Sequence, residues 1–158
     1  DMVAGSGAQR DALWRLRHNM SEAQKIEGAS IKHDISVPVS KVGEFVARAS
    51  AWAESAVPGV RVIAFGHLGD GNVHFNLSQP VGADPAAFLA RWDELAAGVH
   101  QIAVDFGGSF SAEHGIGSLK VGELERWRGG TALELMRAIK AAVDPHDIMN
   151  PGKLLRPR

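Results

Sequence analysis

The segment Gly66-His67-Leu68-Gly69-Asp70-Gly71-Asn72-Val73-His74-Phe75-Asn76 restricts the fold more than any other part of the chain. Asp70-Gly71 between alternating residues is the strongest short-range hairpin signal, a two-residue loop that needs positive φ at both central positions. A turn centred there pairs Gly69 with Asn72 and sets His67 directly opposite His74 on one sheet face. Opposite residues of an antiparallel pair have Cβ atoms roughly 5 Å apart, close enough for two imidazoles to share an ion. Asn76 points the same way as His74, whereas Val73, Phe75 and Leu77 point to the other face, toward a core. The pair reads either as half of a metal site or as polar residues on a solvated sheet face, and further ligands decide between them.

Candidates for those ligands lie in Gly107-Gly108-Ser109-Phe110-Ser111-Ala112-Glu113-His114-Gly115-Ile116-Gly117. A short β-prone run at about 108–113 ends in a carboxylate beside an imidazole, and the flanking glycines let backbone approach a bound group closely. Adjacent strand residues point to opposite sides, so one of Glu113 and His114 is expected as a ligand and the other as an acid or base. Two histidines and a glutamate would make three protein ligands with open positions, the arrangement of a catalytic ion.

The rest of the chain supplies a frame for this hairpin. Leu13, Leu16, Met20 and Ala23 recur at helical spacing over 11–27, with Gly28 as a stop. Residues 30–37 alternate, Ile31, Ile35 and Val37 on one face and Lys32 and Asp34 on the other, as a half-buried strand closed by Pro38. Ser40 is expected to cap a helix carrying Val42, Phe45, Val46, Ala49 and Trp52. Asp84-Pro85 opens a long helix with Phe88, Trp92, Leu95, Val99 and Ile102 inward. Thr131 and Glu134 form a capping box for a last helix with Leu135, Met136, Ile139 and Val143. After the first helix the order is strand, helix, two strands, helix, strand, which predicts an α+β fold with a ferredoxin-like antiparallel sheet and helices packed on one face. The other face is free, and His67, His74, Asn76, Lys32 and Asp34 are expected on it. His18, His100 and His146 read as surface or capping residues, and the tryptophans as core.

With 158 residues, 45% hydrophobic content and a formal net charge of -1, the chain fits one soluble globular domain with no signature of nucleic-acid binding. It has no cysteine, which removes disulfides and thiolate metal sites. No apolar run approaches the ~18 residues of a membrane span and no signal peptide opens the chain, so a cytoplasmic location is expected.

The hairpin segment, Ser111-Ala112-Glu113-His114-Gly115-Ile116-Gly117 and the terminal Asp144-Pro145-His146-Asp147-Ile148-Met149-Asn150-Pro151-Gly152-Lys153-Leu154 resemble the C-terminal half of the FAD-linked oxidase family. Leu13-Trp14-Arg15-Leu16-Arg17 and the stretch from Ser30 to Pro38 extend the resemblance, which runs from about Leu13 to Leu155. Members include D-lactate dehydrogenases, the glycolate oxidase FAD subunit and D-2-hydroxyglutarate dehydrogenase. The resemblance implies that residues 1–158 are the substrate- and metal-binding half of an FAD-dependent 2-hydroxy-acid dehydrogenase. The flavin would be carried mainly on an N-terminal FAD-binding domain absent from this chain. It implies His67, His74 and Glu113 as ligands of a divalent ion, zinc first and manganese or iron as alternatives, and His114 as general base and substrate contact. Arg17 and Ser21, four apart on one helix face, match an arginine and a threonine that hold the substrate carboxylate. Lys32 and Asn76 are implied as substrate-binding, and Asn150 as a residue returning toward the flavin. His33 stands where relatives often have tyrosine. The implied partners are a small 2-hydroxy acid and the FAD-binding domain, with the electron acceptor unspecified; the sequence is also compatible with a homodimer.

Two other classes share these features. Two histidines and a carboxylate also describe the facial triad of non-haem iron oxygenases, although helices between the strands disfavour their double-sheet barrel. A non-catalytic interaction domain could use the same sheet for assembly and would bind no stoichiometric ion.

Overall fold

A computed structural model describes residues 3–157, the side chain of Ser21 excepted. The alternation along residues 72–78 sets the middle of the molecule. Strand β4 (Asn72–Ser78) buries Val73, Phe75 and Leu77 on one face and turns Asn72, His74 and Asn76 to the other. Along one side of it run β1 (Ser30–Ile31) and β2 (Asp34–Ser36), and along the other β3 (Arg61–His67), all antiparallel. The expected strand over 30–37 is interrupted at Lys32 and His33, but its register does not slip: Ile31 faces Leu77, Asp34 faces His74, and the Phe75 N–H donates to the His33 carbonyl at 3.0 Å.

The fourth strand expected at about 108–113 contracts to one antiparallel bridge, Ser36 to Ser109. Beyond Ser109 the chain turns, because the Ser109 hydroxyl accepts from the Ser111 N–H at 3.2 Å and replaces a ladder bond with a local one. The spatial order, bridge segment, β1 and β2, β4, β3, is that of a ferredoxin-like βαββαβ unit.

Its two helices are α2 (Val42–Ala56) and α4 (Trp92–Asp105). They bury Phe45, Ala49 and Ala53, and Leu95, Val99, Ile102 and Ala103, against Ile31, Ile35, Phe75 and Leu77 on one sheet face. The helices meet closely at Gly98, where an added Cβ would lie 1.9 Å from Trp52 Cζ2. Helix α1 (Gly7–Ile26), N-capped by the Ser6 hydroxyl, lies outside this unit and reaches the opposite sheet face through Gln24. Two further helices, α5 (Val121–Trp127) and α6 (Thr131–Val143), gather a second core of Phe110, Leu124, Leu133 and Leu155.

Several local expectations are corrected. The hairpin loop has four residues, 68–71, so His67 pairs with Asn72, and Phe65 rather than His67 lies opposite His74. The cause is Asp70, whose side chain accepts from the Asn72 N–H at 2.9 Å, together with Gly71, whose carbonyl accepts from the Val37 N–H at 3.1 Å. Gly71 has φ +77, and a side chain there would meet the Val37 carbonyl oxygen at 2.0 Å. The shift is an even number of residues, so His67 and His74 remain on one face as diagonal neighbours.

Asp84 caps as expected, accepting from the Ala86 and Ala87 N–H groups, but the helix it opens, α3 (Pro85–Leu89), ends before α4 begins. Ser40 lies within a 3-10 turn (Val39–Lys41), and the α2 N-cap position is Lys41, with no side-chain cap bond. The Thr131 capping box does not form, because Gly130 occupies the N-cap position. Helix α5 was not expected: its seven residues are too few for a clear periodicity. Of the tryptophans, Trp52 and Trp127 pack against cores, whereas Trp14 and Trp92 are exposed. No helix among the described residues is long and apolar enough to cross a membrane.

Candidate functional site

The sheet face opposite α2 and α4 carries the candidate site. The Glu113 carboxylate lies between the two hairpin histidines, with Oε1 3.4 Å from His67 Nδ1 and Oε2 3.8 Å from His74 Nε2. The two contacts run to different oxygens of Glu113, and among the described residues the ligand atoms that all lie within 4.8 Å of one another are those of Asp34, His74 and Glu113, a group that leaves out His67. His74 is largely covered, packed against the Phe65 ring at 5.1 Å between centroids, whereas His67 and Glu113 are exposed and leave one side of the cluster open. His114 stands beside it, its ring centroid 6.2 Å from that of His74.

Asp34, which the sequence reading placed on this face without a role, sits at the centre. It is 2% exposed, and ligand atoms of Asp34, His74 and Glu113 lie within 4.8 Å of one another. Its Oδ2 accepts from the Glu113 and His114 N–H groups at 2.8 and 2.7 Å, and its Oδ1 from Asn72 Nδ2 at 2.9 Å. Burial alone pushes the Asp34 carboxyl up, but the His114, Glu113 and Asn72 hydrogen bonds together outweigh it and hold the group below the usual carboxylate range. Behind the loop, Lys120 donates to the Ser111 hydroxyl at 3.0 Å; burial lowers its pKa, against the attraction of Asp34 and Glu123.

The remaining expected residues are distributed unevenly. Arg17 stacks its guanidinium over the Phe65 ring, 5.0 Å from the centroid, and so joins the site through the ring that covers His74. The Ser21 side chain lies outside the described atoms. Lys32 is exposed on the same sheet face. Asn76 is buried, and its amide donates to Gln24 Oε1 at 2.8 Å, which ties α1 to the sheet. Asn150 lies apart, in a terminal turn with φ 50, lining a groove of about 680 Å³ with Ile139, Lys140, Met149 and Lys153.

His33 and His100 belong to the core side. His33 Nδ1 lies 2.6 Å from the Phe75 carbonyl oxygen, and burial, aided by His100, lowers its pKa to about 3. His100 is 3% exposed rather than superficial; its ring meets His33 edge-on at 5.3 Å and its Nδ1 contacts Glu123. The partner across the hairpin, Phe65, was missed because the register was read two residues off. Asp34 was missed because nothing local marks it, although its alternation with Lys32 already put it on the right face.

A split βαββαβ sheet, helices on one face and an imidazole–carboxylate cluster on the other, defines an α+β domain built to present polar donors rather than a second apolar layer. The family whose sequence model matches residues 1–154 is the FAD linked oxidases, C-terminal domain, and the chain belongs to it. It is 40% identical over 153 residues to the D-2-hydroxyglutarate dehydrogenase of Xanthomonas citri pv. viticola, covering 97% of this chain and 32% of that protein. It is 37% identical over 153 residues to the D-2-hydroxyglutarate dehydrogenase of Stutzerimonas stutzeri, covering 97% of this chain and 33% of that protein. The D-lactate dehydrogenase of Archaeoglobus fulgidus is 37% identical over 154 residues, which are 98% of this chain and 33% of that protein. The chain thus spans about a third of the length of these relatives.

Proposed function

We propose that this chain is the substrate- and metal-binding part of an FAD-dependent dehydrogenase that oxidises a D-2-hydroxy acid of the 2-hydroxyglutarate, lactate or glycolate type. The observation that carries the reading is the placement of Glu113 between His67 and His74, with His114 alongside. Nitrogen and oxygen donors of this kind suit zinc, with manganese or iron as alternatives. The names of the relatives support the substrate class. The βαββαβ sheet is not the double-sheet barrel that an iron oxygenase reading requires.

In this reading His67, His74 and Glu113 hold the ion, and the open side of the cluster receives the substrate. An ion held there would supply Lewis-acid activation of a substrate hydroxyl, and a flavin on an FAD-binding domain would supply the hydride acceptor. His114 takes the hydroxyl proton as general base, its main chain fixed by Asp34 so that the imidazole stays beside the cluster. Arg17, held by the Phe65 ring, clamps a substrate carboxylate. Ser21, Lys32 and Asn76 are the further orienting groups. Asn150 would face a flavin from its groove, whose lining is mostly apolar and includes Lys153, while Lys140 is already paired with Asp144 and Asp147.

The test is zinc binding by the purified chain. Wild-type protein is expected to retain one equivalent of zinc through dialysis, and His67→Ala or His74→Ala to lose most of that affinity with an unchanged circular dichroism spectrum. Full zinc content in the double variant would reject the site, and no stoichiometric ion in the wild type would favour an interaction domain.

A further inference from the structure

Asp34 fits the distances of a metal ligand, but its bonding describes a different role. A carboxylate offers about four lone-pair positions. Three of them are taken here: Oδ2 by the Glu113 and His114 N–H groups at 2.8 and 2.7 Å, and Oδ1 by Asn72 Nδ2 at 2.9 Å. The Asp34 main-chain carbonyl holds the same loop one residue earlier, accepting from the Ala112 N–H at 3.1 Å. What remains of the carboxylate faces imidazoles, His74 Nδ1 3.9 Å from Oδ1 and His114 Nδ1 3.8 Å from Oδ2, too far for hydrogen bonds. A buried carboxylate with three of its four acceptor positions taken by amide N–H groups is a strong anchor.

The segment it anchors has little else to shape it. Beyond the single bridge at Ser109, the loop has no strand partner, and Glu113 and His114 are both exposed. Its other constraints are the Ser111 hydroxyl, which donates to the His114 carbonyl, and Lys120, which donates to that hydroxyl at 3.0 Å. Lys120 is also attracted to Asp34, so both charges hold the loop.

We propose that Asp34 is the positioning residue of this site: it binds no ion itself but captures the amides of residues 113 and 114, so that a ligand, Glu113, and a base, His114, are delivered together to the hairpin histidines. This rests on the metal-binding reading above. Side chains that orient metal ligands from behind change metal affinity by about 10–100-fold when replaced, without changing the ligand set.

The experiment titrates cobalt(II) into the chain and records its visible absorption, with amide hydrogen exchange measured on the metal-free protein. Asp34→Asn, which keeps the shape but weakens the acceptors, is expected to leave the cobalt band positions unchanged and to lower affinity by about 10–100-fold. The amides of Glu113 and His114 should exchange faster in it while core amides do not. Altered bands, or loss of binding as complete as in His74→Ala, would make Asp34 a ligand and overturn the proposal. Unchanged affinity and exchange would overturn it as well. If wild-type chain takes up no cobalt, the metal reading fails by itself, and exchange at residues 113 and 114 still decides whether Asp34 holds the loop. Should Asp34→Asn not fold, Asn72→Ala frees Oδ1 alone and is expected to shift affinity and exchange in the same direction by less; no shift there counts against the proposal.

Discussion

A histidine buried on the core side of the break between β1 and β2 gives this domain a built-in sensitivity to acid. His33 Nδ1 is 2.6 Å from the Phe75 carbonyl, which requires the proton on that nitrogen, and Nε2 is buried with no acceptor. A second proton would therefore create a charge with no partner, beside His100 and within the field of Lys120, and the pKa falls to about 3. The unfolded chain binds that proton near pH 6.5 and the native chain does not, so stability is full above about pH 6.5 and is lost as pH falls toward about 3. The slope approaches about 1.4 kcal/mol per pH unit for this one group. Urea unfolding at successive pH values should show that slope between about pH 6 and 4 and should show it flattened in His33→Asn, which keeps a donor for the Phe75 carbonyl. An identical slope in the variant would assign the acid sensitivity elsewhere. At this scale the sequence was readable where residues announce themselves in pairs. His67, His74, Glu113 and His114 stand in glycine-flanked motifs, whereas the surroundings of Asp34 and His33 are made by residues 38 to 80 positions away.

Elements were legible where periodicity alone decides them and illegible where a contact does. The alternation over 30–37 and 72–78 put Ile31, Ile35, Val73, Phe75 and Leu77 on the core face and Asp34, His74 and Asn76 on the other, because face depends only on parity. The loop between β3 and β4 depends instead on where Gly71 meets Val37, a contact 34 residues apart that no local rule contains. The fourth strand failed for a related reason: Asp34 takes the amides that would have extended its ladder. The pairing of α2 with α4 shows the same dependence, since Gly98 looks like a weak point in a helix until Trp52 is placed over it. Alanine would improve helix propensity there by about 1 kcal/mol. The added Cβ, however, lies 1.9 Å from the Trp52 ring, and overpacking costs about 1–3 kcal/mol. Gly98→Ala is expected to lower unfolding stability on balance, and Trp52→Leu in the same background to recover part of the loss. A stabilised Gly98→Ala would show that the helices part without cost.

At the scale of the molecule, the chain is expected to fold by itself and to show no turnover by itself. Its sheet, α2 and α4 enclose one core and α5 and α6 a second, so an independently folded domain is expected. The candidate ligands lie on the side of the sheet that α2 and α4 leave uncovered, with His67, Glu113 and His114 open to water. Hydride transfer needs donor carbon and flavin held about 3–3.5 Å apart with water kept out. The groove at Asn150 presents one wall for a ring, and it shares no lining residue with the imidazole–carboxylate cluster. Under the proposed function a second surface would bring flavin and hydroxy acid together, and the relatives are about three times as long as this chain. The purified chain with zinc and added FAD is expected to show no oxidation of D-2-hydroxyglutarate or D-lactate with a dye acceptor, while still binding zinc. Turnover under those conditions would place a complete flavin site within these 158 residues, and the proposed assignment of redox and substrate roles to separate domains would fail.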